Sequence, residues 1–226
     1  MDIELFYKEA GSGEPLILLH GNGEDHTVFE KIAKHFSDNY RIIAIDTRGH
    51  GESPMGDKPF SLYQFADDLK DFMDEHRIEK ANILGFSDGG NIALIFASKY
   101  PERVIKLIAN GANTKPSGIR ITFHIAMIFT YLIYSAASAF SKKYEYKKAL
   151  YYLMLHEPHI TKEELERIIA PTLVLVGTED MIRESESKFI AKSIPNGEIV
   201  FILGDHFVVK NNTKDYIFAV EKFLNK

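Results

Sequence analysis

Six short apolar segments, each bounded by Gly, Pro or charged residues, alternate along this chain with longer segments of helical periodicity. Apolar runs of about four to eight residues are typical of strands buried on both faces of a parallel sheet. Strand–helix alternation places helices on both faces of such a sheet. With an edge strand at Ile3–Tyr7, the sequence predicts an α/β fold with a mostly parallel central sheet of about seven strands. The six buried strands are predicted at Leu16–Leu19, Ile42–Ile45, Ala81–Leu84, Val104–Ile108, Leu173–Val176 and Ile199–Ile202.

Composition excludes several classes of protein. The chain has 226 residues, 45% of them hydrophobic, and 32 acidic against 27 basic residues give a net charge of -5. That balance offers no basis for binding nucleic acid or an anionic membrane surface. The absence of cysteine excludes disulfides, thiolate metal sites and cysteine nucleophiles. Met1–Glu4 lacks the basic and apolar regions of a signal peptide, so we expect a cytoplasmic protein.

One long segment, Gly111–Ile169, interrupts the alternation because it contains no convincing strand pattern. Within it, Ile121–Phe140 contains no Asp, Glu, Lys or Arg and has the length of a membrane-spanning helix. Its Thr, Tyr, Ser and His side chains, and its position between strands of one sheet, favour a lid helix with an apolar underside. A lid that contacts a membrane and a true membrane span are the alternatives. We expect no stable membrane insertion.

The sequence of residues 85–89, G-F-S-D-G, matches the G-x-S-x-G nucleophile elbow and lies between a predicted strand and a predicted helix. In such a tight turn the serine backbone is strained, and side chains at the flanking glycines would collide with neighbouring backbone. The serine hydroxyl then stands above the sheet at the positive end of a helix. Ser87 is therefore the candidate nucleophile. The alternative is an ordinary glycine-rich turn in which Ser87 caps the helix.

A serine hydroxyl needs a base to activate it, and that base needs an acid to orient it. His206 follows the last predicted strand and Asp180 follows the strand before it, so both fall at the carboxyl edge of the sheet. We assign His206 as base and Asp180 as its acid. Glu179 is the competing acid, and a surface-loop role is the alternative for His206. His156 and His159 lack the spacing of the H-E-x-x-H zinc motif, and a two-histidine metal site there is the weaker interpretation.

Acyl transfer also needs two N–H donors where negative charge develops on the carbonyl oxygen. The glycine-rich sequence His20–Gly23 follows the first buried strand, which leaves its backbone free to face Ser87. We assign the donors to the backbone N–H groups of Asn22 and of Asp88, the residue after the nucleophile. The Asp88 side chain is expected to play no part, and His20 is expected to hold the loop.

These motifs, with Ser87, Asp180 and His206 in that order, resemble the α/β-hydrolase superfamily. Residues 46–53, D-T-R-G-H-G-E-S, are similar to that family's D-x-R-G-x-G-x-S loop, which is mostly architectural. The resemblance covers nearly the whole chain. Because the chain begins later than the family pattern does, the resemblance implies that one edge strand of the usual eight is missing.

By this resemblance, residues 1–110 and 170–226 form the core, and residues 111–169 form a compact helical lid. The triad implies a serine hydrolase that cleaves a small, largely apolar carboxylic ester, or a related acyl bond, through an acyl-enzyme. Carbon–carbon bond hydrolysis or a lyase step on the same triad is the alternative. A non-catalytic binder on the same fold is a third interpretation.

The expected reaction uses a small-molecule substrate and no metal or organic cofactor, because the triad generates the nucleophile and the sequence has no dinucleotide or P-loop motif. Phe129, on the apolar lid helix, is the candidate residue for a substrate pocket. A compact pocket would favour short-to-medium acyl chains. The alternative is that Phe129 and its neighbours only pack the lid on the core.

Overall fold

A computed structural model describes residues 2–226 of the chain. The strands are β1 (Tyr7–Ala10), β2 (Glu14–Leu19), β3 (Tyr40–Ile45), β4 (Ala81–Phe86), β5 (Val104–Asn110), β6 (Thr172–Gly177) and β7 (Gly197–Ile202). They form one sheet in the order β1-β3-β2-β4-β5-β6-β7. All neighbouring strands are parallel except β1 and β3. The predicted fold class, a mostly parallel sheet of about seven strands, is confirmed.

Helices cover both faces of this sheet. They are α1 (Glu30–Phe36), α2 (Leu62–Glu75), α3 (Asp88–Lys99), α4 (Ile121–Ser138), α5 (Glu145–His156), α6 (Lys162–Glu166), α7 (Glu184–Ser193), α8 (Val208–Asn211) and α9 (Thr213–Leu224). Side chains of α1 and α9, such as Ile32 and Val220, enter the hydrophobic core on one face. Side chains of α2, α3 and α7, such as Leu69, Phe96 and Ile190, form the core on the other.

The predicted edge strand Ile3–Tyr7 is wrong, because the strand lies at Tyr7–Ala10. The alternation that motivated the prediction is real, since Ile3 and Leu5 are both buried. The backbone of the next residue, Phe6, however, bonds to the loop of residues 46–53 and not to a strand. The Phe6 N–H donates to Oγ of Ser53, at 2.8 Å, and the Phe6 carbonyl accepts from a backbone N–H of the same loop, at 2.9 Å.

Residues 111–169, all of which the structure describes, contain helices and no strand. They do not all stand apart from the core. Ile160, Leu165 and Ile168, in and around α6, are buried in the same core as α2 and α3. The helix α5 adds Leu153 to the same core, whereas α4 packs on α5 and is the helix of this segment that stands outside it.

The expected apolar underside of α4 is limited to Met127, the one buried residue of the helix, which packs in a small cluster with Ile119 and Ile182. The inward side of α4 meets tyrosines of α5 and its preceding turn. Tyr131 contacts Tyr152, and Tyr134 contacts Tyr151. With these polar aromatic residues inside, the aliphatic side chains point outward, and only 6% of the helix is buried. By length and composition alone, α4 is apolar enough to cross a membrane.

Candidate active site

Ser87 lies in the tight turn between β4 and α3, where its backbone has φ 55° and ψ -119°. Positive φ is unfavourable for a residue with a side chain, and it persists only where the surroundings enforce it. Here the backbone approaches too closely for other residues. A Cβ atom at Gly85 would lie 2.1 Å from the Gly89 carbonyl oxygen, and one at Gly89 would lie 2.0 Å from that of Leu19. Both glycines of the motif are thus required by close backbone approach.

The structure brings the three candidate triad residues together. Oγ of Ser87 lies 2.9 Å from Nε2 of His206, and Nδ1 of His206 lies 2.7 Å from Oδ1 of Asp180. The competing acid, Glu179, is exposed to solvent, whereas Asp180 is buried. Both short distances are within normal hydrogen-bond range. The geometry therefore favours Asp180 over Glu179 as the partner of His206.

Backbone donors fix the Asp180 carboxylate in place. Oδ1 accepts from the Ile182 N–H at 2.9 Å, and Oδ2 accepts from the Gly177 N–H at 3.3 Å. A carboxylate held this way can only accept from His206, so Nδ1 carries the proton. Nε2 is then left with the lone pair that faces Ser87. This tautomer is the one that a base needs.

Gly111 is a site residue that the sequence analysis missed. It directly follows β5, has φ 62°, and a Cβ atom added there would lie 2.7 Å from Cε1 of His206. No local motif marks this glycine. Its position after the strand next to β4, at the carboxyl edge where sites collect, is the one signal that could have indicated it.

The loop after β2 is held by His20, as the sequence predicted. Nε2 of His20 accepts from the Thr47 N–H at 3.0 Å, so the proton sits on Nδ1, which donates to the Gly21 carbonyl at 2.8 Å. Burial lowers the pKa of His20, which favours this neutral form. Within residues 2–226, the backbone N–H groups of Asn22 and Asp88 have no acceptor. For Asp88 this follows from its place in the first turn of α3.

The Asp88 side chain is not idle, which corrects the expectation from sequence. Its carboxylate accepts from Nδ2 of Asn22 at 2.9 Å and from Nδ2 of Asn91 at 3.3 Å. The Asn22 amide also donates to the Leu150 carbonyl of α5, at 3.2 Å. Asp88 and Asn22 thereby tie together α3, the loop after β2 and α5. Burial raises the pKa of Asp88 to about 6, although the two amides act in the opposite direction.

The loop of residues 46–53, which joins β3 to the rest of the core, is architectural, as expected. The Arg48 side chain is fully buried and bonds to the carboxylates of Asp68, at 2.7 Å, and Asp2, at 2.6 Å. Oδ1 of Asp46 accepts from the His26 N–H at 2.7 Å. Ser53 donates to the Asp46 carbonyl at 2.6 Å. None of these groups is part of the triad.

The candidate pocket residue Phe129 and the candidate metal ligands His156 and His159 lie away from the triad. Phe129 is 63% exposed on the outer side of α4, so its ring does not enclose a substrate in this conformation. His156 ends α5 and stacks on Tyr152, and His159 lies in the following loop. Across residues 2–226, no group of three or more His, Cys, Asp and Glu side chains is arranged to hold a metal ion.

Comparison with known proteins identifies the family. A family model described as alpha/beta hydrolase fold matches residues 14–131, which is more than half of the chain. The chain belongs to the alpha/beta hydrolase family. The matched range includes the elbow with Ser87 and the loop with Asn22 but ends before Asp180 and His206. The positions of Asp180 and His206 relative to Ser87 therefore come from the structure and not from the family match.

Individual relatives cover different parts of the chain. Serine hydrolase BPHL from Homo sapiens is 36% identical over 119 residues, which are 49% of this chain and 40% of that protein. The 2-hydroxy-6-oxo-6-phenylhexa-2,4-dienoate hydrolase of Comamonas testosteroni is 37% identical over 116 residues, with the same coverage. The chain thus spans about two fifths of the length of these curated relatives.

Similarity to solved structures extends over the whole chain. An enol-lactonase from Burkholderia xenovorans superposes with a TM-score of 0.82 at 18% identity, covering 99% of this chain and 97% of that one. At this level of identity the likeness concerns the fold alone. The superposition agrees with the seven-stranded core and leaves the substrate undefined.

Proposed function

We propose that this hydrolase cleaves a small, largely apolar carboxylic ester through an acyl-enzyme on Ser87. The observation that carries the proposal is the continuous hydrogen-bonded series from Ser87 through His206 to Asp180, with distances of 2.9 and 2.7 Å. Such a series lets an imidazole take the serine proton while a buried carboxylate stabilises the resulting charge.

In the proposed reaction, Oγ of Ser87 bonds to the ester carbonyl carbon while Nε2 of His206 takes the serine proton. The N–H groups of Asn22 and Asp88 donate to the oxyanion. Collapse of this intermediate breaks the bond to the alcohol oxygen, which leaves with the proton from His206. Water then attacks the acyl-enzyme with His206 again as base, which releases the carboxylic acid and restores Ser87.

Carbon–carbon bond hydrolysis is the second candidate, and the 37% identity with the Comamonas testosteroni hydrolase supports it. That relative's name specifies a dienoate, a substrate with a negative charge. The side chains around Ser87 argue against a negatively charged substrate, because Asp88 and Asp180 are acidic. The charge of Glu157 also acts on Asp88. An uncharged ester suits this acidic environment better than a carboxylate does.

A panel of p-nitrophenyl esters from acetate to decanoate tests the proposal. We expect hydrolysis with kcat/KM that rises with acyl length by about fourfold per methylene and then falls once the pocket is full. Ser87→Ala should lose at least about a thousandfold in kcat and keep its fold. If no ester is hydrolysed while Ser87 still reacts with a fluorophosphonate, carbon–carbon bond hydrolysis becomes the better account.

A further inference from the structure

The outer surface of α4 is apolar along its whole length. Apolar side chains recur along one side of the helix, and the series continues to the residue two positions beyond its end. The six most exposed of these side chains are between 46% and 91% exposed. They are Ile121, Ile125, Phe129, Leu132, Ile133 and Phe140. Contiguous exposed patches of this kind mark sites of contact with a protein or a membrane. We call these six residues the outer face of α4.

The outer face is the reverse of an ordinary surface helix, which is polar outside and apolar inside. Here Tyr131 and Tyr134 face α5, and the aliphatic side chains face water. Packing against the rest of the chain therefore does not explain why α4 is apolar. The helix also cannot cross a bilayer, because β5 and β6, on either side of the segment, are neighbours in one sheet.

Charge decides between the partners that could cover this face. Between residues 115 and 148 there are six Lys and Arg residues and one acid, Glu145, although the whole chain is acidic. Five of the six lie at the two ends of α4 or in the first turns of α5: Arg120, Lys142, Lys143, Lys147 and Lys148.

None of these five cations forms an ion pair within residues 2–226. Elsewhere on the surface, seven lysines pair with Asp or Glu; Lys210, for example, lies 2.6 Å from Glu24. Unpaired cations beside an apolar strip suit the surface of an anionic lipid bilayer, where charged headgroups lie directly above apolar acyl chains. A second copy of the chain would bring like charges together.

We propose that α4 docks flat and reversibly on the surface of an anionic lipid bilayer. The outer face enters the boundary between headgroups and acyl chains, and the five cations contact lipid phosphates. The inference does not rest on the proposed ester hydrolysis, because Ser87 takes no part in it.

Flotation of the full chain with lipid vesicles tests this docking. We expect binding to vesicles of phosphatidylcholine and phosphatidylglycerol, and binding at least about tenfold weaker to phosphatidylcholine alone. Ser87→Ala should bind like the wild type. The double variant Ile125→Asn, Ile133→Asn should bind at least about tenfold more weakly. Lys142→Gln, Lys143→Gln should lose most of the preference for the anionic lipid.

Phe218→Asn is the matched control, because Phe218, at 66% exposed, is as exposed as Ile133, at 65%, but lies on α9. It should bind vesicles like the wild type. Because the substituted isoleucines are exposed, the double variant should keep the melting temperature of the wild type. Equal binding by wild type and double variant would overturn the proposal, as would absence of binding. A dimer in sedimentation velocity that the double variant abolishes would assign the face to self-association instead.

Discussion

Gly111 has no side chain, and the ring of His206 occupies the space where one would lie. A methyl group there would lie 2.7 Å from Cε1 of His206, so the ring must move. We predict that Gly111→Ala lowers kcat by at least about a hundredfold, since small misplacements of catalytic groups cost that much. KM, measured in the same ester assay, should change little.

Gly13→Ala is the control for backbone strain. Gly13 also has positive φ, 108°, but lies in the turn between β1 and β2, with the Asn39 carbonyl as its nearest contact. The substitution Gly13→Ala should lower the melting temperature and leave kcat unchanged. If both variants lower kcat equally, the effect of Gly111 is general destabilisation and not displacement of His206.

Asp88 links the site to the stability of the fold. Burial raises its pKa from 3.8 to about 6, so the folded protein binds this proton more tightly than the unfolded chain does. Its contribution to stability is therefore largest below pH 4 and is lost as pH rises through 6. We predict that the free energy of unfolding of Asp88→Asn, relative to that of the wild type, increases by about 2 kcal/mol as pH rises from 4 to 8. Urea unfolding at both pH values measures this, and a constant difference would refute it.

The triad and the loop of His20 were predictable from sequence because each follows a recognisable strand by a few residues. Ser87 adds a local glycine pattern of its own. The roles of Gly111 and the Asp88 side chain were not predictable. They depend on His206 and Asn22, which lie 95 and 66 residues away in the chain and meet them only in the folded sheet.

At the scale of elements, Arg48 connects the loop after β3 to α2 through Asp68. Both side chains are buried, and two nitrogens of the guanidinium contact the carboxylate at 2.7 Å. Asp68→Ala would leave a buried cation with one carboxylate fewer. We predict a loss of about 3 kcal/mol in the free energy of unfolding, measured with urea.

The adjacent residue provides the control for this pair. Asp67 also lies on α2 and pairs with Lys99, but its side chain is partly exposed. Asp67→Ala should cost less than about 1 kcal/mol, as exposed ion pairs do. Similar losses in the two variants would show that burial of the Arg48 pair contributes nothing extra.

Periodicity predicted the buried strands well, because residues enclosed on both faces must be apolar. It misplaced the edge strand, since the alternation at Ile3 and Leu5 reports burial and not hydrogen bonding to a strand. It also placed the apolar side of α4 inward, whereas most of the large apolar side chains of this helix are exposed. The apolar stripe was visible in the sequence, but the side of α4 that meets α5 depends on tyrosines of α5 that no local pattern specifies.

Across the whole molecule, the distribution of charge matters more than its total. A net charge of -5 gave no reason to expect an anionic surface as partner, yet the segment from residue 115 to 148 is basic. The acidic excess lies elsewhere, and near Ser87 it includes Asp88 and Asp180. Our two proposals therefore assign the basic surface around α4 to lipid and the acidic surroundings of Ser87 to an uncharged substrate.

Peptide mapping by mass spectrometry after brief reaction with a fluorophosphonate tests most directly whether the triad activates Ser87. We predict one adduct per chain, on the peptide that contains Ser87. His206→Ala should label at least about a hundredfold more slowly, because the serine loses its base. Wild-type protein unfolded in urea should not label. Labelling on another residue, or at the same rate in His206→Ala, would contradict the account.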